Sequence, residues 1–268
     1  MNTANLRDLA IKLAEGAGEF ITAHRPAQVT VASTKSSATD PVTEMDRAVE
    51  AWLVERIQAE RPDDAILGEE GAGVAGTSGL TWVIDPIDGT VNYVYGVASF
   101  AVSVAVVSGE PDPLSWQAQA GAVRDVVTGR TWAAAHGLGA LRDGTPIVPP
   151  AAVPLAECLT GTGFGYAATQ RAEQARILSE VLPRVRDIRR LGSAAVDLCL
   201  VADGTLDLYY EQGLNPWDLA AGALIAAEAG CAVTGLEGRP PSAAMTVAGR
   251  GQAARDLLAI LAEATRKE

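Results

Sequence analysis

WVIDPIDGTVNYVYG, residues 82–96, is an apolar run closing on two aspartates three positions apart, Asp85 and Asp88, set around Pro86. The run spells a strand buried in a core, and carboxylates at the end of such a strand cost more than folding offsets unless cations neutralise them. The same context recurs in Ala65-Ile-Leu-Gly-Glu-Glu-Gly71, a brief apolar strand ending at Glu69 and Glu70. It recurs again at Asp218, where Asn215-Pro216-Trp217 opens a helix with an N-cap and an N1 proline. Glu69, Asp85, Asp88 and Asp218 thus form a set of oxygen donors of the kind that suits Mg²⁺, with Mn²⁺ as a substitute. Two such ions held roughly 3.5–4 Å apart suit displacement at phosphorus. Gly89-Thr90 then supplies free backbone N–H groups where a short helix begins, a place for a phosphate, and Pro86 fixes a turn between the two acids.

Each acid has a plainer reading. Asp88-Gly89 is a common turn pair, Asp46 sits three residues after Thr43 where an acid completes an N-cap, and Asp218 is an acid favoured by a helix dipole. Their co-occurrence argues for a site. A covalent aspartyl-phosphate mechanism of the haloacid dehalogenase type needs its two acids two positions apart in a DxDGT string. The spacing of three here favours a metal-bound water.

Outward from this stretch, Leu6, Leu9, Ala10, Leu13, Ala17, Phe20 and Ile21 follow helical spacing and predict a first helix ending before Pro26. Met45, Val49, Trp52, Leu53 and Ile57 predict a second helix, from Thr43 to Arg61-Pro62. GAGVAGTSG, 71–79, reads as a mobile loop. Ser99–Val107 alternates as a buried strand, and 121–127 with 130–135 reads as a hairpin. Prolines 146, 149 and 150 mark a boundary between an N-terminal α+β lobe, 1–148, and a C-terminal α/β lobe, 149–268, within one compact unit. In the second lobe strands are expected at 155–161, 185–188 and 206–210. Helices are expected at 171–182, 193–202, 216–229 and from Gln252.

The chain has 268 residues, 48% hydrophobic, enough for a sizeable core. Its net charge of −12 argues against direct nucleic-acid binding. Cys158, Cys199 and Cys231 are widely spaced among apolar residues and read as reduced core thiols, which with the absence of a signal-peptide pattern points to the cytoplasm. No apolar stretch is long enough to span a bilayer. His24 and His136 read as surface or structural residues, and Arg189-Arg190 as a solvated or dimer-contact pair rather than a phosphate clamp. The glycines of GTGFGY, 161–166, lack the dinucleotide-binding spacing and read as relief of a tight strand end. Lys35 reads either as an exposed loop lysine or as a charge offset to the metal site.

Gly68-Glu69-Glu70, Trp82 to Asn92 and Trp217-Asp218-Leu-Ala-Ala-Gly222, in this order, resemble the inositol monophosphatase family of metal-dependent, lithium-sensitive phosphatases. Thr34-Lys-Ser-Ser37, Asp40-Pro-Val-Thr43 and Gly161-Thr-Gly-Phe-Gly-Tyr166 are most similar to its actinobacterial SuhB-type members. The resemblance implies a layered αβαβα sandwich of mixed α+β and α/β character. It also implies hydrolysis of myo-inositol 1-phosphate by a Mg²⁺-activated water, usually in a homodimer. It assigns one metal to Glu69, Asp85 and the Ile87 carbonyl, a second to Asp85, Asp88 and Asp218, and a weaker third ion near Glu69. Thr90 and Asp46 would position and deprotonate the water, Gly89 and Thr90 would hold the phosphate, and Asp88, Ala194 and Glu211 would meet the hydroxyls of a small polyol. GTGFGY departs from animal members, which place a substrate-touching serine there. Relatives on this scaffold act on histidinol phosphate, fructose 1,6-bisphosphate, NADP or 3′-phosphoadenosine 5′-phosphate, and some bacterial ones serve as partners in transcription complexes.

Overall fold

The computed structural model describes residues 2–34 and 41–266. The N-terminal run comprises α1 Thr3–His24, β1 Ser33–Thr34, β2 Pro41–Val42, α2 Glu44–Glu60, β3 Ala65–Gly68, β4 Gly73–Val74, β5 Leu80–Asp88 and α3 Thr90–Tyr95. Four further strands follow, β6 Ala101–Ser108, β7 Gln117–Asp125, β8 Thr131–Ala135 and β9 Ala140–Arg142, before the short β10 Thr145–Pro146. The remainder is β11 Leu159–Thr162, α4 Ala168–Val181, β12 Asp187–Arg189, α5 Ala194–Asp203, β13 Leu208–Glu211, α6 Pro216–Glu228, β14 Ala232–Thr234, β15 Thr246–Gly249 and α7 Gly251–Ala264.

Strands up to residue 146 form an eight-stranded sheet in the order β10-β9-β8-β7-β6-β5-β3-β4, with β1 and β2 as a separate pair; strands from 159 onward form a five-stranded sheet, β12-β11-β13-β15-β14. Helical spacing on α1 and α2 explains the outer layer. Leu6, Leu13, Ile21, Val49, Leu53 and Ile57 pack on Trp82, Ile84, Ile87, Val102 and Val104, and each fully buried Leu or Ile contributes roughly 1.5–3 kcal/mol. The apolar helices α5 and α6 fill the space between the sheets, where Ala195, Leu198, Ala221 and Ile225 meet Val83, Ala105, Val123, Tyr209 and Ala248. A helix buried on all sides reads as apolar all round, as these do. Small residues bring α6 close to the sheet: a Cβ on Gly121 would lie 3.0 Å from the Ala221 Cα. On the far side, α4 and α7 cover the second sheet with Ile177, Val181, Leu257 and Leu261 against Leu208, Tyr210 and Val247. The order is helix, sheet, helix, sheet, helix: the expected αβαβα sandwich.

Several local expectations change. Pro86 does not turn the chain, because β5 continues to Asp88 through a bulge between Asp85 and Asp88 in its pairing with β6. A proline in a central strand requires such a break, since it lacks the N–H the ladder needs. Part of the glycine-rich loop at 71–79 is a strand, β4, antiparallel to β3. Residues Leu155–Glu157 form a 3₁₀ turn, so the strand expected there begins later, at Leu159. β14 and β15 have no counterpart in the sequence reading.

Candidate active site

β3 and β5 run parallel, with Gly68 opposite Ile84, so their carboxyl ends deliver Glu69 and Asp85 side by side. The Glu69 amide donates to the Ile84 carbonyl at 3.3 Å. The bulge carries the chain on to Asp88, and the Ile87 amide donates back to Asp85 Oδ1 at 3.0 Å. Asp218 arrives from the first turn of α6, where its Oδ2 accepts from the Asn215 amide at 2.7 Å in a capping box. Asp85, Asp88 and Asp218 each bring a carboxylate oxygen within 4.8 Å of the others.

Taken alone these acids resist ionisation. Burial first, then the charges of Glu69, Asp88 and Asp218, drives Asp85 well above the usual carboxylate range. Asp218 is driven up in the same way by burial, Asp88 and Glu69. Asp88 is pushed up to about 6 by burial, against the Ser193 hydroxyl and the Ala195 amide, which favour its ionised form. These two groups donate to one of its oxygens, Oδ2, at 2.6 and 2.7 Å, and both belong to the N-terminus of α5. Asp88 also brings a carboxylate oxygen to the acid cluster. An all-oxygen, buried to half-buried, mutually repelling donor set fits a hard divalent cation, which removes the repulsion that holds the acids protonated.

Beside the cluster stands a second constellation. Thr90 Oγ1 lies 3.1 Å from Asp46 Oδ1 and 3.0 Å from the Ile87 carbonyl oxygen, both acceptors for its proton. The Asp46 Oδ2 accepts from the Thr43 amide at 2.8 Å. Asp46 is therefore both the cap of α2 and a partner of Thr90, and burial pushes it up to about 6. Gly89 sits at φ +95°, and a Cβ there would lie 2.9 Å from the Gly192 carbonyl oxygen, so only glycine lets α3 start so close to the next loop.

Glu69, Asp85, Asp88, Gly89, Thr90 and Asp218 line a cavity of about 520 Å³ that also includes Ala194, Glu211 and Arg190, with Asp46 behind Thr90. Every site residue expected from the sequence within the described residues faces it or contacts one that does; Lys35 lies outside the described residues. Glu211 accepts from the Tyr209 hydroxyl at 2.5 Å, and burial pushes it up to about 7. The solvated reading of the pair Arg189-Arg190 holds, since both are exposed; Arg189 binds Asp187, and Arg190 also lines the cavity. One sequence reading is corrected here. The glycine at 163 does more than relax a strand end, because a Cβ there would fall 2.0 Å from Glu211 Oε2. Sequence reasoning also passed over Asp197, 1% exposed in the first turn of α5 and raised by burial and by Glu211 and Asp88. Its only signal was an acid inside an apolar helix. His24 rests on the Phe20 carbonyl and His136 beside Glu228, and neither lines the cavity.

A model of the family described as "Inositol monophosphatase family" matches residues 2–268. Over 208 residues, 74% of this chain and 69% of the relative, the sequence is 52% identical to an inositol-1-monophosphatase of Mycobacterium leprae. It is 36% identical over 233 residues, 86% of this chain and 85% of the relative, to a Vibrio cholerae protein named Nus factor SuhB. The solved structure of Mycobacterium tuberculosis SuhB superposes with a TM-score of 0.81 at 42% identity, covering 99% of this chain and 98% of that one.

Proposed function

This chain belongs to the inositol monophosphatase family, a family of phosphatases acting on small phosphorylated substrates, and we propose that it hydrolyses myo-inositol 1-phosphate to myo-inositol and phosphate with Mg²⁺. The observation that carries this reading is the meeting of the Asp85, Asp88 and Asp218 carboxylates at one cavity with Thr90, which Asp46 backs. In this reading Glu69, Asp85 and the Ile87 carbonyl hold one ion, and Asp85, Asp88 and Asp218 a second. Bound there, Mg²⁺ supplies Lewis-acid charge for the phosphoryl oxygens and lowers the pKa of water.

The chain's own groups do the rest. The water attacking phosphorus gives one proton to the Thr90 hydroxyl as that hydroxyl passes its own to Asp46 Oδ1. The new P–O bond forms as the bond to the inositol oxygen breaks, and that oxygen leaves with a proton from solvent. With its carboxyl near 6, Asp46 is a base matched to neutral pH. Backbone N–H groups of Gly89 and Thr90 anchor the phosphate. Ala194, Glu211 and Asp88 orient the polyol hydroxyls. The N-terminal lobe, 1–148, thus brings most of the ion-binding acids, and the C-terminal lobe, 149–268, Asp218 and the substrate contacts. The lithium sensitivity of the activity, a homodimeric assembly and a cytoplasmic location belong to the same reading.

Thr90→Val keeps the shape and deletes the hydroxyl. We expect kcat to fall roughly 10²-fold or more with KM little changed, and stability to fall roughly 1–3 kcal/mol because Asp46 loses a donor in a buried site. Steady-state phosphate release and urea unfolding measure the two. The substrate is tested by a phosphate-release panel with and without Mg²⁺ and Li⁺. Turnover should be best on inositol 1-phosphate, dependent on Mg²⁺ and suppressed by Li⁺; better turnover of histidinol phosphate, fructose 1,6-bisphosphate, NADP or 3′-phosphoadenosine 5′-phosphate would overturn the choice. The Vibrio relative's name favours a second, additional reading as a transcription-complex partner. Co-purification with RNA polymerase and Nus factors tests it.

A further inference from the structure

Glu50 is a carboxylate that the reaction does not use. It lies on α2, one helical turn after Asp46, and is 6% exposed. Its two oxygens each accept a backbone N–H from the turn after β3: Oε2 from Glu70 at 2.8 Å and Oε1 from Ala72 at 2.9 Å. Sequence also makes room for it, since a Cβ on Gly68 would lie 2.3 Å from Glu50 Oε2. The turn it clamps closes on itself through the Gly68 amide, which donates to the Ala72 carbonyl at 2.8 Å, and passes through Gly71 at φ +108°. Glu69 is the residue between these tethered points.

We propose that Glu50 is a positioning residue that sets the cation affinity of the site by locking the turn from which Glu69 reaches it. The proposal rests on the reading of Glu69 as a metal ligand. Physically, Glu69 joins acids that repel it, and its backbone sits in a glycine-containing turn with freedom to retreat. Two charge-assisted hydrogen bonds from a rigid helix remove that freedom. They also make α2 a common frame for Asp46 and Glu69, so the proton acceptor and the ligand keep a fixed separation.

The test uses the full chain and Mn²⁺ alone, titrated by electron paramagnetic resonance without substrate, together with amide hydrogen exchange. Glu50→Gln must turn an NH₂ group toward one of the two donors, so the Mn²⁺ dissociation constant should rise about 10–100-fold and the Glu70 and Ala72 amides should exchange faster. In a Glu69→Gln background the same change should cost no further affinity. Unchanged Mn²⁺ affinity in Glu50→Gln, or an equal loss with and without Glu69, overturns the clamp while leaving the metal reading intact. Failure of the parent chain to bind Mn²⁺ overturns both. Should Glu50→Gln not fold, Glu50→Asp withdraws the carboxylate from the turn and carries the same expectation. The unmutated protein adds an independent check, since unprotected Glu70 and Ala72 amides would also refute the clamp.

Discussion

Replacing Asp88 with asparagine is expected to abolish phosphate release while leaving a folded protein that, in chelator, is at least as stable as its parent. The side chain has two duties, one at the start of α5 and one in the acid cluster. One oxygen accepts from Ser193 and Ala195 at the start of α5, and only a carbonyl-type oxygen can do that. An asparagine that keeps those bonds must therefore give its other position to an NH₂ group, a donor that cannot ligate a cation. Activity should fall by at least about 10³-fold, beyond the 10–100-fold typical of losing an outer partner of a metal ligand. The same isostere removes one charge from the crowded acids, so the chelated protein should melt no lower. Phosphate release at saturating Mg²⁺ and circular-dichroism melting in chelator read the two effects. Wild-type turnover in this variant would remove Asp88 from the site.

The second large effect concerns pH. Burial raises Asp46 and Asp88 from 3.8 to about 6 and Glu211 from 4.5 to about 7, and it raises Asp85 and Asp218 as well. Between the unfolded and folded values the native chain binds more protons than the unfolded one. The stability these groups contribute is therefore complete below about pH 4 and lost as pH rises through 6 to 7. A shift of two units corresponds to about 3 kcal/mol at most for each of Asp46 and Asp88. The chelated protein should melt lower at pH 8 than at pH 5.5. Mg²⁺ at about 100 times its dissociation constant should return roughly 2.7 kcal/mol, or roughly 5–10 °C for a chain of this size. Differential scanning fluorimetry at the two pH values, with EDTA or Mg²⁺, measures this. Equal melting at both pH values and indifference to Mg²⁺ would contradict the electrostatic picture of the site.

Much of the fold was legible because its signals are local. The period of Leu6, Leu13 and Ile21 and the caps Thr43 and Asn215 specify helices within a few residues, and the acids at strand ends declare a cation requirement without any neighbour in view. What escaped depends on distant partners. Arg190 looks like any surface arginine until β12 and α5 bring it to the cavity, and Gly163 looks like a strand-end relaxer until β13 brings Glu211 beside it. Glu50 reads as an ordinary helix acid because its partners are backbone N–H groups 20 and 22 positions on. The strands β14 and β15 are three and four residues long and lie among turns, too short for a period to declare itself.

The bulge in β5 acts as a change of reading frame. Along a regular strand, side chains an even number of positions apart share a face and those an odd number apart do not. Leu80, Trp82 and Ile84 obey this on the outer core, and Ile87 then takes the place that parity would give to residue 86. The frame has slipped by one, so two aspartates with an odd spacing bring their carboxylates to one acid cluster. For anyone transplanting this centre into another scaffold, the unit to move is the irregular strand with its proline, since the two acids grafted onto an ideal one would point to opposite faces.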